Sequence, residues 1–155
     1  MTRPPPRAGW ELGVGLLAAS RALFDELHAR LAAQGHPDLR PAHGYAFRAI
    51  GAEGATASEL ARRLGVTKQA AGKMAVELEA LGYVTRAADP RDARRRPLVL
   101  TARGADALER SAAVFDELRD EWARRAGAAE LERAADALEL LTDLYGRPGA
   151  LRPVW

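Results

Sequence analysis

The sequence predicts a mainly α-helical fold that carries one small β-hairpin, and three observations predict it. Of the 155 residues, 48% are hydrophobic while only 6% are aromatic, a composition that suits closely approached helices better than a sheet core. Apolar residues recur at spacings of three and four along most of the chain. The stretch from Thr56 to Thr101, TASELARRLGVTKQAAGKMAVELEALGYVTRAADPRDARRRPLVLT, sets a short helix, a glycine turn, a longer helix and a basic hairpin in immediate succession. That order is the order of a winged helix-turn-helix, flanked here by N-terminal and C-terminal helices.

The length suits one compact unit and is short for two independent cores. The expected organisation is a single unit over 1–155, with 39–100 as the winged region and 10–38 and 101–155 as helices that meet a second copy. The absence of cysteine excludes disulfides, thiolate metal sites and thiol switches. No apolar run approaches a membrane span, and the start MTRPPPRAGW has no signal-peptide core. A cytoplasmic location with no membrane partner is therefore expected.

A net charge of +2 acquires meaning once it is divided along the chain. Residues 1–55 carry +1, 56–100 carry +4, 101–145 carry −5 and the last ten +2. Positive potential is concentrated in the central stretch, as in a module that meets a polyanion.

Residues 1–9, with three consecutive prolines, read as an extended arm. Trp10 to Ala33 forms a helix through Leu16, Leu17, Leu23, Phe24, Leu27 and Leu31, and ends before Gly35 and Pro37. It holds more apolar surface than one face of a small domain needs. Leu39 to Gly51 forms a second helix, with Pro41 in its first turn. Thr56 and Glu59 form a capping box for the third, which Gly65 ends. The very short link forces the next helix, Thr67 to Leu81, to cross at a large angle. Its buried stripe is Ala71, Met74, Leu78 and Leu81, and its opposite face carries Gln69, Gly72, Lys73 and Val76. Both lysines of the chain, Lys68 and Lys73, lie on its first two turns. Strands over Tyr83 to Ala87 and Pro97 to Leu100 enclose a turn-rich loop. Five arginines (Arg86, Arg91, Arg94, Arg95, Arg96) stand there against two aspartates, and such a hairpin repels itself unless a polyanion is near. Thr101 caps a long helix to Arg125, with a stripe of Leu108, Ala112, Phe115, Leu118 and Trp122. Gly127 separates it from a last helix, Ala128 to Tyr145, whose stripe is Leu131, Ala135, Leu138, Leu141 and Tyr145. The tail GRPGALRPVW, ending in Val154 and Trp155, is loose or packs on a neighbour.

With these residues in place, the sequence resembles the MarR family of winged-helix transcription regulators over nearly its whole length. Three features carry the resemblance: a recognition helix opening with Val66-Thr67-Lys68-Gln69, the phrase Leu78-Glu79-Ala80-Leu81-Gly82-Tyr83-Val84, and the wing pattern Asp92-Ala93-Arg94 followed by Leu100-Thr101. The resemblance implies an obligate homodimer with interlocked terminal helices. Each recognition helix would enter the major groove of double-stranded DNA and each wing the minor groove. Many members are repressors released by small anionic aromatic effectors, and some sense oxidants or zinc. The lack of cysteine removes the thiol-sensing mode.

Thr67, Lys68, Gln69, Gly72 and Lys73 are the candidate major-groove residues, because only the N-terminal end of such a helix reaches base edges. Gln69 suits adenine and lysine suits guanine, or either lysine holds a phosphate. Gly72 lets the helix approach closely. In the wing, Arg94 braced by Asp92 resembles the family's minor-groove pair, while Arg91, Arg95 and Arg96 add charge, with Arg95 and Arg96 expected on phosphates. A pocket of His43, Phe47 and Arg48, with the arginine countering an anionic ligand, follows from the family's layout. Apart from such an effector no cofactor is expected.

Alternatives stand beside this reading. A winged helix that binds protein would show little salt dependence. A zinc regulator would need His28, His36 and His43 joined by carboxylates such as Glu26 or Asp38, a spacing that matches no known ligand pattern. An enzyme is not expected: there is no phosphate loop, nucleophile elbow or paired-histidine motif, and Ser20, Ser58 and Ser111 have no evident base.

Overall fold

The computed structural model describes residues 8–88 and 95–146. The prolines of the expected arm, the wing residues Arg91, Asp92 and Arg94, and the tail with Val154 and Trp155 lie outside the described residues. Six helices and two strands follow in order: α1 (Gly9–Ala33), α2 (Pro41–Ile50), α3 (Ala57–Leu64), α4 (Lys68–Ala80), β1 (Val84–Arg86), β2 (Leu98–Leu100), α5 (Ala102–Ala126) and α6 (Ala128–Tyr145). The fold is mainly helical with a small antiparallel hairpin, as the sequence predicts.

Local chemistry fixes the boundaries. Pro41 opens α2, where its missing N–H costs nothing. Thr56 Oγ1 accepts the Glu59 N–H at 3.3 Å, and Glu59 Oε2 accepts the Thr56 N–H at 2.7 Å, so the reciprocal box at α3 is complete. Gly65 ends α3 in the left-handed conformation. Thr67 then caps α4 by accepting the Ala70 N–H at 3.1 Å. Thr101 accepts the Gly104 N–H at 3.1 Å and donates to the Gly82 carbonyl at 2.6 Å, tying the start of α5 to the turn that leaves α4.

The hairpin pairs Val84 with Leu100, Thr85 with Val99 and Arg86 with Leu98. A third segment joins it, because Ala55 and Leu98 exchange backbone hydrogen bonds of 3.0 and 2.8 Å. The sequence did not reveal this bridge. It requires Gly54, where a Cβ would stand 2.8 Å from the Leu98 carbonyl oxygen.

The core lies within α2, α3, α4 and the hairpin, around fully buried Tyr83, Phe47, Ile50, Leu60, Leu64, Leu78 and Leu98, and is closed by Leu27 and Leu31 of α1 and Ala107 and Val114 of α5. Two expected stripes are met in part, with Met74, Leu81, Leu108, Phe115 and Leu118 packed at the edge of the core. On α4 the buried residues are Ala71, Ala75 and Leu78, with Met74 and Leu81 only half-buried. On α5 they are Gly104, Ala107 and Val114, whereas Ala112 and Trp122 are exposed. Small residues face the core at these crossings because the helices approach closely there, so larger apolar side chains rotate to the flanks.

The outer helices differ from the rest. Trp10, Leu12, Val14 and Leu17 of α1 are exposed, α6 buries no residue, and Leu138, Leu140, Leu141, Leu144 and Tyr145 stand in solvent. No helix of the described residues is long and apolar enough to cross a membrane.

Candidate nucleic-acid interface

The first turn of α4 is uncovered. Lys68 and Gln69 are exposed immediately after the Thr67 cap, at the helix end where backbone N–H groups and the macrodipole favour negative charge. Thr67 is exposed too, but its oxygen already accepts one bond in the cap, which leaves its hydroxyl proton and one lone pair for a partner. Lys73 is exposed one turn on, and Val76, 61% exposed, continues the same face. A Cβ at Gly72 would meet nothing within 4 Å. The protein's own packing does not demand glycine there, so the missing side chain opens the outer face.

Ion pairs fix the C-terminal half of this helix. Glu77 pairs with Arg40, the residue that precedes α2, and faces His43 Nε2 at 3.6 Å. His43 is 1% exposed, and its Nδ1 accepts the Arg40 N–H at 3.3 Å. Burial, aided by the Arg40 charge, pushes this imidazole below its ordinary value and outweighs the attraction of Glu77. Glu79 pairs with Arg86 of β1 at 3.3 Å.

The wing arginines therefore divide. Arg86 is tied to α4. Arg95 is half-buried, and its Nη2 lies 3.0 Å from both carboxylate oxygens of Glu59. Arg96 is exposed and makes no ion pair among the described residues. Of the two residues expected on phosphates, Arg96 is exposed and Arg95 is paired with Glu59. The capping bonds from Thr56, then the Arg95 guanidinium, hold the Glu59 carboxyl down to about 2.

The expected pocket residues separate. Phe47 and Arg48 line a cavity of about 210 Å³ between α1, α2 and α5, with Phe24, Leu27, Leu31, Leu108 and Phe115 as its apolar walls and His28, Arg40 and Tyr45 at its edge. His43 does not line it. Its buried ring borders a separate groove beside Lys73 and Glu77, where its polar contacts with the Arg40 N–H and Glu77 hold it.

The three histidines occupy three separate places. His28 Nδ1 meets the Phe24 carbonyl at 2.6 Å. His36, 3% exposed, bridges Asp106 Oδ2 at 2.8 Å and the Tyr83 hydroxyl at 3.2 Å. Glu26 is engaged by Arg30, and no group of three potential metal ligands occurs among the described residues. The bridge through His36 joins the end of α1, the start of the wing and α5. Sequence reading missed it, since its members lie 47 and 70 positions apart and no local pattern links them.

The sequence profile of the MarR family matches residues 38–95, the span of α2, α3, α4 and most of the wing. This region belongs to the MarR family. No curated protein matches the chain. Among solved structures, Rv1404 of Mycobacterium tuberculosis is 22% identical and aligns over 94% of this chain and 100% of its own, with a TM-score of 0.75. The S. aureus MepR–DNA complex is 21% identical over 87% of this chain and 98% of that one, with a TM-score of 0.66. MepR bound to ethidium bromide is 21% identical over 86% and 96%, with a TM-score of 0.60. These likenesses extend the shared fold beyond the MarR-family region to the flanking helices.

Proposed function

We propose that the chain is a homodimeric, sequence-specific DNA-binding transcription regulator, a ligand-responsive repressor at a pseudo-palindromic operator. The uncovered first turn of α4 carries the reading: Lys68 and Gln69 are exposed at a capped helix N-terminus, within a MarR-family region. Lys73 and Val76 extend that face, and a valine there suits a thymine methyl group. Support for DNA as the partner also comes from MepR, a structural neighbour solved in complex with DNA.

Gel-shift titration against the DNA upstream of the chain's own gene tests the reading. Replacing Lys68 and Gln69 together by alanine is expected to weaken specific binding at least about tenfold, since each base contact is worth about 1–3 kcal/mol. Unchanged affinity would remove α4 from the interface, and affinity independent of salt would favour the protein-binding alternative.

The support for an effector is the cavity beneath α2. Its walls are apolar and aromatic, and Arg40, Arg48 and His28 at its edge favour an anionic head group. Thermal shift against a panel of aromatic acids is expected to raise Tm for those that enter it, and to lose the rise in Arg48→Ala. A flat response across the panel points instead to a regulator without an effector.

A further inference from the structure

We propose that Arg95 is a positioning residue of the wing: its guanidinium ties the returning arm of the hairpin to the first turn of α3 through Glu59, and so sets the angle at which the wing meets DNA. The functional part of this inference rests on the DNA-binding reading above.

Three observations carry it. Glu59 is an immobilised anchor, because its Oε2 already accepts the Thr56 N–H at 2.7 Å and the Thr56 hydroxyl at 3.0 Å. An ion pair to a fixed partner loses less side-chain entropy than one between two free side chains. The position is also where a tether is needed. Among the described residues the last backbone bond between the arms is Ala87 N–H to Pro97 carbonyl, 2.9 Å, and the Ala55–Leu98 bridge holds the other edge at the hairpin's root. Arg95 lies two residues past that last bond, so its contact with α3 carries the hold on toward the tip. Finally, its charge is already matched. A phosphate that took Arg95 would strip a carboxylate of its partner inside the most basic stretch of the chain, whereas exposed Arg96 is available without that loss.

Glu59→Gln and Arg95→Gln, singly and together, test the tether in the full-length protein, because a glutamine at 59 preserves the capping box. Binding to the chain's own upstream DNA is expected to weaken about two- to fivefold in each single variant, the scale of a partly exposed ion pair, and no further in the double variant. The slope of log K against log salt stays unchanged in Arg95→Gln. A phosphate ligand would instead lower that slope by about 0.9 per subunit, and Glu59→Gln would then strengthen binding by removing a negative charge near DNA. Either result overturns the proposal.

A readout without DNA stands beside these. The Glu59 carboxyl resonance, followed downward from pH 6, is expected to titrate near 2 in the native chain and measurably higher in Arg95→Gln. An unchanged midpoint overturns the tether. If the native chain binds no DNA, the DNA-binding reading fails while this titration still decides whether Arg95 holds the wing.

Discussion

His43 makes the physical logic of single side chains plain in this protein. It is buried at the junction of α2 and α4, accepts from the Arg40 N–H and faces Glu77. Its folded-state value lies below the ordinary 6.5, so the unfolded chain takes up the proton first. Its contribution is therefore fully present above about 6.5 and is lost as pH falls below it. Urea midpoints are expected to drop between pH 7.5 and 5.5 in the native protein and to stay flatter in His43→Gln. Equal slopes in both would show that another group sets the dependence. Glu59 acts in a separate window. Its depressed carboxyl adds stability present above the ordinary value of 4.5 and lost as pH falls toward about 2. At this scale the sequence was legible where function needs exposure and a local signal. Lys68 and Gln69 follow a recognisable cap, and they stand in solvent as expected. It was opaque where a partner comes from elsewhere. Arg95 and Glu59 are 36 positions apart and Arg40 and Glu77 are 37, so charge counting alone could not separate bound arginines from free ones.

At the scale of elements, boundaries were readable because they are set locally. Thr56, Thr67 and Thr101 each cap the helix that follows, and Gly65 and Gly82 end α3 and the turn after α4 as the pattern implies. Stripes were less readable, because α5 carries apolar residues around much of its circumference and periodicity could not say which face meets the core. Gly104 decides that face. A Cβ there would lie 2.1 Å from the Tyr83 carbonyl oxygen and 3.4 Å from the Leu100 side chain, so glycine alone lets the first turn of α5 close over the root of the wing. Gly104→Ala is expected to destabilise the fold by about 1–3 kcal/mol, the usual cost of overpacking a filled site. Since the strain falls where α5 meets the wing, hydrogen exchange should rise most in β1 and β2. A variant as stable as the native protein would mean that α5 shifts without cost. Neither the Gly104 contact nor the Ala55–Leu98 bridge has a sequence signature, since both depend on the approach of segments that only the fold brings together.

On the whole-molecule scale, the exposed faces of α1 and α6 bear on how strongly salt should act. An 18-residue helix that buries none of its residues and leaves Leu140, Leu144 and Tyr145 at 59%, 62% and 78% exposure presents an apolar face of the kind that marks an interaction surface. In the proposed homodimer, a second copy covering these faces would supply the missing burial and double the number of α4 helices offered to DNA. Light scattering is then expected to find a dimer at low micromolar concentration, and Leu140→Glu with Leu144→Glu to shift the mass toward one chain, because each would place a carboxylate in an apolar interface. The exposed face of α4, the proposed DNA contact, is untouched by those substitutions. A dimer that neutralises about three to five phosphates per subunit loses roughly three to five decades of affinity between 50 and 200 mM salt. With Arg86 and Arg95 held in internal pairs, the low end of that range is expected. The monomeric variant contacts one half-site only, so its log–log salt slope should be half that of the native protein. A native monomer, or a slope unchanged when the dimer is broken, would mean that one copy alone makes all the phosphate contacts and that the apolar faces of α1 and α6 serve another partner.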